Sequence, residues 1–303
     1  MSSDPSAFGA HGDRWRSSRV WVDGRLHPVP DSTASGAAAS LRDAFVADET
    51  GPLGLLETLR VEQGRALHFE EHVQRLRASA RALGIPQPDP AELERGAREL
   101  LAAVAEEAPR VFALRLAVVP TRGLFVSARA ATPFADAGVV VTTSSASVDP
   151  GGAGVHKTTR RAAYRRAREE ARARDAWDGL LRGVDGTFVE SSIANLFAVV
   201  DGRLVVPGPA QGALRGLQRE RLLSRWSAWK PAGLVSGAPE ERGLSAEELL
   251  RADELFLTNE VAGVVPVRQL LAGEAVRSLV LGPWTREARR AVESARERAD
   301  SSG

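Results

Sequence analysis

Cysteine is absent from these 303 residues, which excludes disulfides, thiolate catalysis and zinc sites built on sulfur. Aromatic residues are scarce, at 5%, and Tyr164 is the one tyrosine. No apolar run approaches the roughly 20 residues that span a bilayer, so no membrane partner is expected. Neither sign of charge dominates: 40 basic residues stand against 39 acidic ones, and no basic field exists to attract nucleic acid. Residues 1–18 are polar and lack the apolar core of a signal peptide, so a cytoplasmic location is the expectation. The five histidines (His11, His27, His68, His72, His156) offer one pair at ligand spacing, His68 and His72. That pair spans a predicted strand-to-helix junction, and no metal site is expected.

Lysine is the scarcest charge. There are two, Lys157 and Lys230, against 38 arginines. A drift towards arginine explains the bias, yet arginine replaces lysine only as a charge, never as an amine nucleophile. Lys230 ends a predicted helix, where any cation favours the dipole. Lys157 has no such ready explanation.

A chain of this length with 43% hydrophobic residues suggests two domains with sizeable cores. The expected division is a tail at 1–18, a small domain over 19–129, a linker at 130–137 and a larger domain over 138–298. Hairpins are predicted at 19–26 around Asp23-Gly24 and at 55–69 around Gln63-Gly64, the latter with strands 55–61 and 66–69. Helices follow at 70–83 and 90–107, with strands at 111–119 and 124–128. The second half reads as strand 138–144, a Gly-rich turn at 149–154, helix 158–175, strands 179–182, 187–200 and 204–207, and helix 217–229. A capping box opens a helix at 245–248, before strands 255–258 and 264–267 and a terminal helix at 283–298. Residues 32–47 are Ala/Ser-rich and ambiguous. The class is α+β or α/β.

The candidate chemistry is spread along this order. Lys157 sits at a predicted loop-to-helix junction, where burial and nearby cations would lower its pKa and make it a workable nucleophile. Glu190, on a strand, can hold a ring nitrogen protonated, with Asn195 to orient it. Gly216, Leu217 and Gln218 open a helix whose amides can face an anion. Arg75 could add a bidentate contact to a phosphate, and Thr258 and Asn259 a hydroxyl and an amide. Each has an ordinary alternative: a surface lysine, a polar strand face, a common helix start, a solvated arginine, turn chemistry.

Their order is more specific. The series LETLRV (56–61), EHVQRL (71–76), HK (156–157), DGTFVE (185–190) with NLF (195–197), LRGLQR (214–219) and LTN (257–259) with VPV (265–267) resembles the class IV aminotransferases, the fold type IV pyridoxal 5'-phosphate (PLP) enzymes. The resemblance covers roughly residues 19 to 270. It implies a small N-terminal α/β domain, a larger C-terminal domain and PLP between them. Lys157 would be the Schiff-base lysine and Glu190 the pyridine-nitrogen partner. Arg75, Leu217, Gln218 and Thr258 or Asn259 would hold the phosphate. It also implies a homodimer and a small amino substrate.

The family includes branched-chain and D-amino-acid transaminases and 4-amino-4-deoxychorismate lyases. Where branched-chain enzymes carry Asn-Tyr after the lysine and Thr-Gly-Thr late in the chain, this one has Arg160-Arg161 and Thr258-Asn259-Glu260. Those departures resemble the lyase subgroup, whose reaction releases pyruvate and 4-aminobenzoate. Amino-acid transamination is the alternative, and a non-catalytic binding module on the same fold is the rival of another class. Arg115, Arg122, Arg160 and Arg161 are candidates for substrate carboxylates. Tyr164, seven residues after Lys157 and on the same predicted helix face, is a further candidate at the site.

Overall fold

The computed structural model describes residues 16–29, 53–120, 122–148, 152–232 and 237–301. The ambiguous stretch 32–47, the N-terminal tail up to residue 15 and part of the Gly-rich turn lie outside them. The chain divides into two compact units. One runs to Pro133 and takes in His156–Arg161; the other comprises Phe134–Val155 and the chain from Ala162 onward.

The first unit is built on six strands, β1 (Arg19–Val22), β2 (Arg25–Pro28), β3 (Leu55–Glu62), β4 (Arg65–Ala66), β5 (Val111–Val119) and β6 (Gly123–Ala130), in the order β2-β1-β6-β5-β3-β4. All its pairings are antiparallel. Alternate residues of a strand face one side, and Leu55, Leu59 and Val61 turn theirs into a core with Val73 and Leu76 of helix α1 (Phe69–Ala82) and Leu93 and Leu100 of α2 (Pro90–Ala103). Asp89 caps α2 through the Ala91 amide, with Pro90 at its first turn. The predicted strand 66–69 stops at Ala66. Leu67 donates its amide back to Arg60, and His68 adopts a left-handed φ of 56° that redirects the chain into α1.

The second unit holds β7 (Val139–Ser147), α3 (Ala162–Arg172), β8 (Asp178–Arg182), β9 (Phe188–Ser191), β10 (Asn195–Val200), β11 (Arg203–Val205), α4 (Leu217–Ser224), α5 (Trp226–Trp229), α6 (Ala246–Arg251), β12 (Glu254–Asn259), β13 (Gly263–Ala272), β14 (Ala275–Ser278) and α7 (Pro283–Ser301). Its strands run β11-β10-β12-β13-β7-β8-β9, and β9 pairs back onto β10 through Asn195 and Glu190. Strands β10, β12, β13, β7, β8 and β9 therefore close a ring. Leu180, Leu196, Leu257, Val265 and Val267 share one core. Residues of alternate parity, Phe197, Val199, Phe256 and Val264, pack with Leu222, Trp229 and Trp284 of the helices.

Three predicted elements are broken. Helix 158–175 is α3 alone, because Thr158 and Thr159 are extended and bond to the edge of β3. Strand 187–200 is interrupted at 192–194, where the Asp178 carboxylate takes the Ser192 hydroxyl and the Ile193 amide. Helix 217–229 divides at Arg225, whose amide bonds to Leu222. Elsewhere the capping box forms as expected, Ser245 and Glu248 each accepting the other's amide.

Helix α3 packs on β8 at Gly179, where a Cβ would come 2.4 Å from the backbone oxygen of Ala167. Backbone cannot swing aside like a side chain, so Gly179→Ala should cost about 1–3 kcal/mol by overpacking. Urea unfolding measures it, and an unchanged midpoint would mean that α3 is not held this tightly.

Candidate active site

In the first unit, Lys157 is presented by an extended segment, correcting the expected helix start. The Leu56 amide donates to the Lys157 carbonyl at 2.8 Å, the Thr159 amide to Gly54 at 2.9 Å, and the Gly54 amide to Thr159 Oγ1 at 2.9 Å. Gly54 has to be glycine, since a Cβ there would lie 2.8 Å from the Val118 oxygen and 2.9 Å from Thr159. On the neighbouring residue, His156 Nδ1 meets Ser79 Oγ of α1 at 3.0 Å. The segment is thus fixed to a strand and a helix at once. Burial pushes the Lys157 amine down to about 7; Glu57 opposes this, while Arg75, Arg161 and Arg115 reinforce it.

Glu57 occupies an inward-facing position of β3 between Leu55 and Leu59 and is 1% exposed. Two α1 residues three apart meet it. His72 Nδ1 lies 2.7 Å from Oε2, and Arg75 donates from Nε to Oε1 at 2.7 Å and from Nη2 to Oε2 at 2.5 Å. Burial alone would raise the carboxyl's pKa, but the charge of Arg75 and the hydrogen bonds from His72 and Arg75 prevail and hold it at about 2. Arg75 is therefore set in a fixed orientation by a bidentate carboxylate.

The other sheet face carries cations. Arg115 pairs with Ser127 across β5 and β6, and Arg129, two residues along, shares that face with Arg16 bridged to it. Burial lowers Arg115 to about 9, with further lowering from Arg129, Arg161 and Arg16. The remaining arginine candidates stand apart: Arg122 is exposed on the β5–β6 turn, and Arg160 is exposed.

In the second unit, Glu190, Asn195 and Thr258 form a row. Asn195 is directly opposite Glu190 on β9 and Thr258 on β12, so the three share one face. The Glu190 carboxylate accepts the Leu214 amide at 2.9 Å and Asn195 Nδ2 at 3.4 Å on Oε2, and the Tyr164 hydroxyl at 2.8 Å on Oε1. Asn195 Nδ2 also donates to the Leu214 carbonyl at 2.7 Å. Gly216 begins α4 beside this row; a Cβ there would lie 2.0 Å from Asn195 Oδ1. With no side chain to cap the helix, the first-turn residues Leu217 and Gln218 keep their amides for an anion. Thr258 is fully buried and its Oγ1 has no hydrogen-bond partner, which is costly unless a ligand satisfies it. Asn259 differs: its side chain donates to Ile193 and accepts from Ala262, organising the turn. Lys230 Nζ rests 5.3 Å over the Trp226 ring, an ordinary surface use of a cation.

Glu57, His72, Arg16 and Arg129 received no role from the sequence. A carboxylate within the alternation Leu55, Glu57, Leu59, Val61, followed by His72 and Arg75 at helical spacing, was a readable signal for the buried trio. Nothing comparable singled out Arg16 and Arg129 among 38 arginines. Among the described residues, no helix is long and apolar enough to cross a membrane, and no cluster could hold a metal ion. Because the trio is a buried ion pair, Glu57→Gln should cost about 3–5 kcal/mol. Wild-type stability from Glu57 is present above pH 4.5 and lost as pH falls towards 2. Urea unfolding at pH 7 and pH 3 checks both, and a loss below 1 kcal/mol at pH 7 would refute the trio's importance.

The model of the Amino-transferase class IV family matches residues 54–270. A probable branched-chain-amino-acid aminotransferase of Thermotoga maritima is 41% identical over 96 residues, 32% of this chain and about a third (33%) of that relative's length. An aminodeoxychorismate lyase of Vibrio harveyi is 25% identical over 256 residues, 77% of this chain and 89% of that one. Among solved structures, a putative branched-chain aminotransferase from Thermotoga maritima aligns with a TM-score of 0.70 at 26% identity, covering 91% of this chain and 94% of that one. A hypothetical aminotransferase from Mycobacterium tuberculosis, in a form with α-ketoglutarate and PMP bound, aligns with a TM-score of 0.70 at 23% identity over 91% of this chain and 99% of its own. With more than half of its length matched by that model, the chain belongs to the class IV aminotransferase family, whose members are PLP-dependent aminotransferases and lyases.

Proposed function

We propose that this chain binds PLP through Lys157 and acts on an amine that carries two carboxylates, in a reaction of the 4-amino-4-deoxychorismate lyase type. The observation that carries the substrate class is the set of Arg16, Arg115, Arg129 and Arg161 around one sheet face, two of which, Arg115 and Arg161, also act on the Lys157 amine. Guanidinium groups recognise carboxylates bidentately, and a cationic surface is a poor host for an aliphatic side chain. The similarity to the Vibrio lyase over 77% of the chain points the same way.

The residues suit the cofactor. In the second unit the buried Thr258 hydroxyl and the amides of Leu217 and Gln218 offer donors to a phosphate; in the first, Arg75, oriented by Glu57, is a cation suited to an anion. Glu190, whose carboxylate is oriented by the Tyr164 hydroxyl, the Asn195 amide and the Leu214 N–H, suits a protonated ring nitrogen. Bound PLP supplies an electron-withdrawing ring that drains the charge left when a C–H bond breaks at the amine-bearing carbon. Lys157 is the mobile base. With its pKa near 7, a substantial fraction of Nζ is neutral at physiological pH, able to take that proton. In the lyase reaction the C–O bond to the enolpyruvyl group then breaks, its electron pair leaving on oxygen. The Lys157 ammonium returns the proton as pyruvate forms, and the ring is left aromatic as 4-aminobenzoate.

Transamination to a 2-oxo acid uses the same residues. It is the second reading, favoured by the 41% identity to the Thermotoga aminotransferase over 96 residues. Aminodeoxychorismate should give pyruvate and 4-aminobenzoate in equal amounts; turnover only of an amino acid with 2-oxoglutarate would replace the lyase reading. Arg115→Met should raise KM for the dicarboxylate by roughly tenfold to a hundredfold, the loss of one charge-assisted hydrogen bond.

The amine gives a pH prediction. Protonated lysine is not a nucleophile, so PLP capture, followed by the growth of its visible absorption band, should accelerate as pH rises through about 7 and level off above. Borohydride followed by peptide mapping should place the label on Lys157. Label on Lys230, or no absorption band, would leave the non-catalytic reading.

A further inference from the structure

Tyr164 is the chain's only tyrosine, and its position is specific. It lies in the first turn of α3, and that helix is held against β8 by the close contact of Ala167 with Gly179. Register then puts Leu181 of β8 opposite Glu190 of β9. Ala163 and Tyr164 pack against a buried cluster that includes Ala167, Leu181 and Val189, and the phenol hydroxyl donates to Glu190 Oε1 at 2.8 Å. The opposite oxygen of that carboxylate is served by Leu214 and Asn195. Both oxygens of Glu190 are thus addressed by donors from three separate elements. The sequence offered Tyr164 as a further candidate at the site, and its hydroxyl faces the Glu190 carboxylate.

We propose that Tyr164 is a positioning residue for Glu190, fixing the direction of its carboxylate and holding its charge so that a ring nitrogen facing it keeps its own proton. The proposal rests on the PLP reading above. Physically, a carboxylate that accepts a phenol hydrogen bond is a weaker base. A weaker base accepts a hydrogen bond from a pyridinium N–H without removing the proton. Removing the phenol oxygen makes Glu190 a stronger base, draws the shared proton onto the carboxylate and weakens the ring's pull on electrons. Phenylalanine keeps the ring that packs on this cluster, so Tyr164→Phe separates the hydroxyl from the packing.

The experiment reconstitutes wild type and Tyr164→Phe with PLP labelled with nitrogen-15 in the ring. Wild-type absorption and borohydride labelling at Lys157 are checked first; failure there overturns the PLP reading itself. With binding established, the ring nitrogen of wild type should resonate in the protonated range at neutral pH and that of Tyr164→Phe should move towards the unprotonated range. The variant's kcat should fall roughly tenfold to a hundredfold with KM little changed, as expected for one hydrogen bond to a charged group. Identical nitrogen shifts in the two proteins would overturn the proposal. A second measurement needs no variant at this position. Tyrosine labelled with carbon-13 at Cζ gives one resonance in this chain, which should shift in Glu190→Gln before any PLP is added. An unmoved resonance would show that the hydroxyl does not serve that carboxylate.

Discussion

Burial denies the Lys157 amine the proton it would hold in water, as the proposed role near neutral pH requires, and the first unit is organised around that denial. Burial supplies most of it, and Arg75, Arg161 and Arg115 add to it. The denial costs stability. A lysine that binds its proton less tightly in the folded state than in the unfolded chain destabilises the fold below pH 7, and the penalty fades as pH rises from 7 to 10.5. Rigid attachment of the backbone offsets it: the pairing to Gly54 and Leu56, and the contact of His156 with Ser79, hold the segment that carries the amine. Glu57 has a double part in this arrangement. Its charge favours the lysine's proton where those of Arg75, Arg161 and Arg115 oppose it, and it fixes Arg75 with both oxygens, so that the opposing cation is held in a definite place.

The second unit solves the opposite electrostatic problem. In the proposed role Glu190 is a carboxylate that has to stay charged while buried at 3% exposure. A hydroxyl, an amide side chain and a backbone N–H orient it. Neutral donors of this kind stabilise a carboxylate's charge without cancelling it. The same economy of polar groups extends to Thr258 and the uncapped start of α4, where donors are gathered in a row set by strand register. Two glycines make that row possible in different ways. Gly216 lets the helix start come up to Asn195, and Gly179 lets α3 approach β8 closely enough to bring Tyr164 to Glu190.

Most of the elements were legible in the sequence because their periods are clear: Val73, Leu76 and Ala80 on one helix face, and alternation in β3. The breaks were not, and each has a cause at long range. Residues 158–161 have helical character locally, yet an edge of β3 over a hundred residues earlier offers Thr158 and Thr159 better hydrogen bonds. The interruption of the strand at 192–194 depends on the Asp178 carboxylate, and no local pattern announces it. The site followed the same division. Lys157, Glu190, Asn195 and Thr258 stood out as candidates by residue type and order, whereas the cation set needed the β5–β6 register to join Arg115 to Arg129 and Arg16. Asn259 reads identically as ligand or turn former in sequence, and only its bonds to Ile193 and Ala262 show the turn.

The rarity of lysine in this chain becomes intelligible when Lys157 and Arg115 are set side by side. Burial and neighbouring guanidinium groups act on both, and both are depressed substantially, the lysine from 10.5 to about 7 and the arginine from 12.5 to about 9. The consequences differ because the starting points differ. An arginine at about 9 is still almost wholly protonated at pH 7 and remains a permanent cation, suited to hold an anion. A lysine at about 7 exchanges its proton on demand. A drift to arginine can therefore pass through every position in this neighbourhood that needs a charge, and under the proposed function it stops at the one that needs a titrating amine. By that reasoning Arg16, Arg115, Arg129 and Arg161 are interchangeable in kind, and Lys157 is not.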